Sequence, residues 1–222
     1  MAFWLLMLLL IFFFPFLFWP FLLFFLLLIP LKLTMASLGT LLVAPGQLLR
    51  IARNPRLRKN HALEHATINV LEERYDYRQL AGYAEDEGFF ILGLQNPEQV
   101  ERAAREGLKR LQRGESELVI HDRCGTTITA ANLASAVIFL LLLLLSGMFT
   151  LWTMLAAVVL ANFVGPALGR FMQRNITTTA QVDEVEIIGT KTDRPGMGGF
   201  WQQGRGKIFV RTREIPYATV LR

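Results

Sequence analysis

Two stretches without a charged side chain decide what this chain can become. Residues 2–30 hold no charge and almost no polar group, and none of the positions from Gly125 to Gly169 is charged. A hydrocarbon core about 30 Å thick takes about 20 apolar residues in a helix. The first stretch therefore supplies one span, and the second supplies two, near 128–147 and 150–171, broken at Ser146-Gly147. The hydrophobic share of 53% agrees. The first run is too long for a cleavable signal and lacks a basic leader, so it reads as a retained anchor that Pro15 and Pro20 kink. Residues 31–53 are apolar but interrupted by Lys32, Gly39 and Pro45-Gly46, which suits a helix lying in the interface.

Charge sets the expected topology. Arg50 to Lys59 contains five basic residues and no acidic one, and Arg170 and Arg174 follow the last span. The positive-inside rule then puts residues 50–124 and the C-terminal tail on the cytoplasmic side of an inner cell membrane. One Cys allows no intrachain disulfide, so no oxidising compartment is implied. Basic residues are not interleaved with aromatics as in single-strand grooves, which argues against a nucleic-acid partner.

Between the apolar stretches, residues 54–124 read as an α-β-β-α-β unit. Asn54-Pro55 and Asn96-Pro97 are helix starts, the second with Gln99 in the capping-box position. Leu80–Ala84 and Phe89–Leu94 read as a hairpin, and Leu118-Val119-Ile120 as a third strand. The tail, 173–222, holds two strands around a Gly-rich connection, Pro195 to Gly206, read as a loop in which Trp201 and Arg205 are exposed. The expected fold is thus an integral membrane α-helical protein with three spans (1–30 and two in 125–172), a small cytoplasmic α+β unit and a C-terminal β-hairpin. Gly165 and Gly169 either let two helices approach closely or loosen a helix end beside Pro166.

The chemistry-bearing residues fall in two short clusters. His61-Ala62-Leu63-Glu64-His65 places two imidazoles four residues apart, hence on one face of a helix, with Glu64 near the same face. Such a pair suits Zn²⁺ or a similar divalent ion, and a neighbouring Glu suits the base of metal-assisted hydrolysis. The third His and the single Cys stand together at His121-Asp122-Arg123-Cys124. The candidate metal ligands are therefore His61, His65, Cys124 and His121, the last as fourth ligand or as a supporting partner, with Glu64 as candidate catalytic group. Four protein ligands make a structural site, whereas three plus an open position make a catalytic one.

The sequence His61-Ala-Leu-Glu-His-Ala-Thr-Ile68, followed by His121-Asp-Arg-Cys-Gly-Thr126, resembles a group of uncharacterised bacterial membrane proteins of unknown function. Their pattern pairs H-x-x-E-H-[AK]-T-I with H-P-x-C-G-T beside transmembrane helices, and some are described as metal-dependent enzymes. Asp122 stands where that pattern has Pro. The resemblance implies His61, Glu64, His65, His121 and Cys124 as functional residues and implies no substrate. H-x-x-E-H is also the inverted zinc-peptidase signature, a likeness limited to the pentapeptide.

Two function classes follow. One is a metal-dependent hydrolase acting at the bilayer on a lipid or membrane-protein substrate. The other is a non-enzymatic assembly or scaffold factor whose metal staples a small domain. A transporter is disfavoured, because the spans carry no buried acid or base.

Overall fold

The long apolar run near the N-terminus is one helix in the computed structural model, α1 (Pro15–Arg53). The structure describes residues 15–193 without 79, 95, 122, 123 and 149, together with 206–215 and positions 5, 6, 8, 9 and 12. Asp122, Arg123, Trp201, Arg205 and most of the Gly-rich connection lie outside the described residues. Helix α1 passes Pro20, Pro30 and Pro45 without a break, so one helix covers residues 15–30 of the expected anchor and the expected interfacial segment. A proline forfeits one backbone hydrogen bond, and apolar helices tolerate that loss.

Helices α4 (Gly125–Ser146) and α5 (Leu151–Met172) occupy the second charge-free stretch, parted where Ser146-Gly147 marks the break. Among the described residues, three helices are long and apolar enough to cross a membrane: Trp19–Arg53, Thr127–Ser146 and Leu151–Thr177. In the unit formed by residues 1–43 and 131–165, they meet through Leu31, Leu38, Phe139, Met154 and Ala157. A Cβ on Gly165 would lie 2.6 Å from Ala131 Cβ, and one on Gly169 would lie 2.9 Å from Thr127 Cα. Close approach is therefore the role of both glycines, and α5 continues unbroken through Pro166.

The second unit comprises residues 44–130 and 166–222. Its central helix is α2 (Pro55–Tyr75), whose first turn is capped by Asn54 Oδ1 accepting from Leu57 N–H at 3.1 Å. Strands β1 (Ala81–Glu85) and β2 (Gly88–Leu92) form the expected hairpin. Helix α3 (Pro97–Gln112) is capped by Asn96, which accepts from Gln99 N–H at 3.2 Å. In the tail, β3 (Val185–Asp193) and β4 (Lys207–Glu214) pair antiparallel. Strand β4 also pairs with β2, with Phe90 opposite Phe209, so hairpin and tail make one antiparallel sheet of order β1-β2-β4-β3.

One face of that sheet is covered by α2 and α3. Phe89, Ile91, Ile187, Ile208 and Val210 meet Leu63, Ala66, Val70, Val100 and Leu111 in a closed apolar core. Each large side chain buried there contributes about 1.5–3 kcal/mol. Lys59 Nζ ties α2 to the tail, donating to Glu184 Oε2 at 3.1 Å and Glu214 Oε1 at 3.0 Å. On the outer face, Tyr83, Phe90 and Phe209 stack across three strands at 4.8 and 4.6 Å, with Lys207 Nζ 4.0 Å over Phe90.

The third strand expected at Leu118-Val119-Ile120 is absent, and Ser116–Val119 is a 3₁₀ turn. Its carbonyls have other partners. Asn69 Nδ2 donates to Leu118 O at 3.1 Å and to Ile120 O at 3.0 Å, and His65 Nδ1 donates to Val119 O at 2.6 Å. Side chains of α2 thus take the groups a neighbouring strand would have used. The unit is therefore α-β-β-α closed by a turn, and the fold is mostly helical with a small four-stranded sheet.

A candidate metal centre

The H-x-x-E-H turn of α2 is buried: His61, Glu64 and His65 are 8%, 3% and 0% exposed. His61 and His65 lie ring against ring, 4.4 Å between centroids, as i and i+4 positions must. Each imidazole has one nitrogen committed to a backbone carbonyl. His61 Nδ1 donates to Thr177 O at 3.0 Å and His65 Nδ1 donates to Val119 O at 2.6 Å. A carbonyl only accepts, so Nδ1 carries a proton in both rings. Burial, then His61 beside it, hold the His65 pKa well below the ordinary 6.5, so this ring is neutral.

Cys124 completes the group. Its Sγ lies 3.3 Å from His61 Nε2, and ligand atoms of His61, His65 and Cys124 all lie within 4.8 Å of one another. Its carbonyl accepts from Thr127 N–H at 2.9 Å, so Cys124 stands immediately before α4, at the electropositive end of that helix. The chain thus holds a buried His–His–Cys group able to bind a metal ion. Around a tetrahedral ion with bonds of about 2.0–2.1 Å to nitrogen and 2.3 Å to sulfur, ligand atoms lie about 3.3–3.6 Å apart. The His61–Cys124 pair already meets this, and a closure of at most about 1.5 Å suffices elsewhere.

The donor set fits a metal in a second way. His65 Nε2 is buried with no hydrogen-bond partner among the described residues, and so is Glu64 Oε2, which lies 4.0 Å from His61 Nε2. A buried polar atom left unpaired costs about 1–3 kcal/mol, and a cation held beside the thiol would relieve both. Burial also pushes the Glu64 carboxyl up to about 8, with His61 lowering it and Cys124 raising it further.

His121 is not brought into this group. Gln173 fixes its backbone on both sides, Oε1 accepting from His121 N–H at 2.8 Å and Nε2 donating to His121 O at 3.0 Å. The His121 ring lies 5.9 Å from that of His65, and its Nε2 lies 3.7 Å from Glu72 Oε2.

Sequence reasoning missed the groups that hold the ligands still. Thr177 belongs to a π-helical turn, Gln173–Thr177, which ends α5 and turns its carbonyl toward His61. Gln173, fully buried, also donates to Thr127 Oγ1 at 2.7 Å. Gly82 backs Glu64: a Cβ there would lie 2.6 Å from both Glu64 Oε1 and Phe90 O. A glycine inside a strand is the available sequence signal of such an approach. Gly82→Ala is expected to displace the Glu64 carboxyl and cost about 1–3 kcal/mol, read as a lower midpoint of thermal unfolding; an unchanged midpoint would contradict this.

Comparison with known proteins adds a family. Residues 56–190 match the domain of unknown function DUF6391, and that span holds all five candidate residues. An uncharacterised protein of Picosynechococcus sp. is 35% identical over 159 residues, covering 63% of this chain and 75% of that protein. No solved structure matches. With most of its length inside the matched region, the chain belongs to the DUF6391 family.

Proposed function

We propose that this chain is a three-span membrane protein whose His61, His65 and Cys124 hold a zinc-like divalent ion, and that it carries out metal-assisted hydrolysis at the cytoplasmic face of the membrane. The observation that carries the metal reading is the pair of imidazoles held through Nδ1, with His65 Nε2 buried and without a hydrogen-bond partner among the described residues and His61 Nε2 3.3 Å from the Cys124 sulfur. Supporting carbonyls of this kind orient ligating histidines in metal sites generally.

Three protein ligands, with His121 held outside the set, leave the open position that distinguishes catalytic from structural zinc. A bound ion of this type supplies Lewis-acid activation of water. Glu64 is the group that holds and moves a proton, because its carboxyl is buried, without a hydrogen-bond partner at Oε2 among the described residues, and raised to about 8. His61 and His65 orient the site through Thr177 and Val119, and the apolar surroundings exclude bulk solvent.

The membrane reading rests on three apolar helices whose large side chains face outward, among them Leu42, Leu145, Trp152 and Phe163. The Arg50–Lys59 run and Arg170 and Arg174 give the cytoplasmic orientation. Cys124 directly precedes α4, and Thr177 follows α5 by one π-helical turn, so chain connectivity ties the centre to the ends of two spans. A substrate in the bilayer, lipid or membrane protein, suits that placement.

The alternative, a scaffold factor with a structural ion, is favoured by one feature, the complete burial of His65. Cobalt substitution tests the metal reading: the Co²⁺-loaded protein is expected to show a thiolate-to-cobalt charge-transfer band that Cys124→Ser removes. A spectrum unaffected by that substitution would contradict the ligand set. Glu64→Gln then separates the two readings. Retained metal with lost function supports hydrolysis, and retained metal with retained function supports the scaffold.

A further inference from the structure

The polar stripe of α2 does not stop at His65. Asn69 and Glu72 extend it by two more turns, and both line a cleft of about 700 Å³ together with Glu117, His121 and Arg174. His121 is the element shared by cleft and centre. It is 6% exposed, forms part of the cleft wall, faces Glu72 Oε2 at 3.7 Å and lies 5.9 Å from the His65 ring. His65 in turn lies 4.4 Å from His61, which touches Cys124 at 3.3 Å. A series of a carboxylate, three imidazoles and a thiol therefore runs from solvent to the buried group.

Charge in the cleft is compatible with a cation. Arg174 is held by both oxygens of Glu117, at 2.6 and 2.7 Å, which neutralises it, and Arg170 also lines the wall. Gln173 clamps the backbone of His121 on both sides, so only its side-chain torsions are left to move. A hydrated divalent ion must shed water before it reaches His65, which has no exposed surface. A carboxylate and an imidazole at a cleft wall are ligands suited to replacing that water stepwise.

We infer that this cleft is the port through which a divalent cation reaches the buried group, with Glu72 and His121 as the receiving pair. The inference rests on the metal reading of His61, His65 and Cys124. A port alters the barrier and not the end states, so its removal slows uptake and release alike.

The test uses the full-length, metal-free protein in detergent, mixed rapidly with Co²⁺ and followed by growth of the thiolate-to-cobalt band, with affinity measured separately by chelator competition. Glu72→Gln and His121→Gln are each expected to slow loading and release by about tenfold, a barrier change of about 1.4 kcal/mol, with the same final stoichiometry and affinity. Asn175→Trp, which fills the cleft from an exposed position of its wall, is expected to slow loading without touching either receiving residue. Unchanged loading in all three variants would overturn the port and leave the centre standing. Weakened affinity with an unchanged loading rate would also overturn it, by making Glu72 and His121 ligands. A parent protein that gains no cobalt band overturns the centre and the port together.

Discussion

His65→Ala is expected to weaken metal binding by about 100- to 1,000-fold. Structural zinc sites bind with about 10–16 kcal/mol shared among their ligands, so losing one of three protein ligands forfeits about 3–4 kcal/mol. His65 is the sharpest choice because its Nδ1 is committed to Val119 and its buried Nε2 has no partner among the described residues. The substitution also frees the Val119 carbonyl, a further cost of about 1–3 kcal/mol to the fold, so circular dichroism and elution in detergent must accompany the chelator titration. His121→Ala provides the contrast. His121 is not part of the His61–His65–Cys124 group, and the affinity of this variant is expected to stay within about threefold of the parent, under 1 kcal/mol. Equal losses in the two variants would make His121 a fourth ligand.

Glu64→Gln is expected to stabilise the metal-free protein at neutral and alkaline pH. The sign follows from the raised carboxyl. Below the ordinary pKa of 4.5, folded and unfolded chains are both protonated at Glu64, and no difference arises. Between 4.5 and about 8 the unfolded chain ionises while burial keeps the folded one neutral, so stability falls as pH rises. Above about 8 the loss is complete. At about 1.36 kcal/mol per unit of pKa, the penalty at pH 8 is on the order of a few kcal/mol, and a glutamine escapes it. Thermal unfolding of the two metal-free proteins between pH 5 and pH 8.5, compared curve against curve, reads the effect. Curves that converge toward low pH and separate toward high pH are expected; parallel curves would contradict the assignment.

Much of the architecture was legible because it depends on local rules. The charge-free stretches became apolar helices, the Asn-Pro pairs became capped helix starts, and i, i+4 spacing put both imidazoles on one face. What was not legible depends on partners distant in sequence. Leu118-Val119-Ile120 has the apolar, β-branched look of a strand, yet its carbonyls belong to Asn69 and His65. Pro45-Gly46 looks like a stop, yet α1 continues, since neither residue forbids a helix outright. His121-x-x-Cys124 offers a ligand and either a second ligand or a supporting partner, but spacing does not say which way a side chain faces, nor that Gln173, a residue with no motif around it, holds the His121 backbone. The carbonyls of Thr177 and Val119 orient the centre, and backbone carbonyls carry no side-chain signature at all.

The central claim is that two imidazoles of α2 and the thiol of Cys124 share one ion. X-ray absorption at the zinc edge of the loaded, full-length protein in detergent tests it most directly. The account predicts one sulfur at about 2.3 Å and two imidazole nitrogens at about 2.0–2.1 Å, with the sulfur shell lost in Cys124→Ser. A shell of oxygens with no sulfur, or a sulfur shell that survives that substitution, would contradict it.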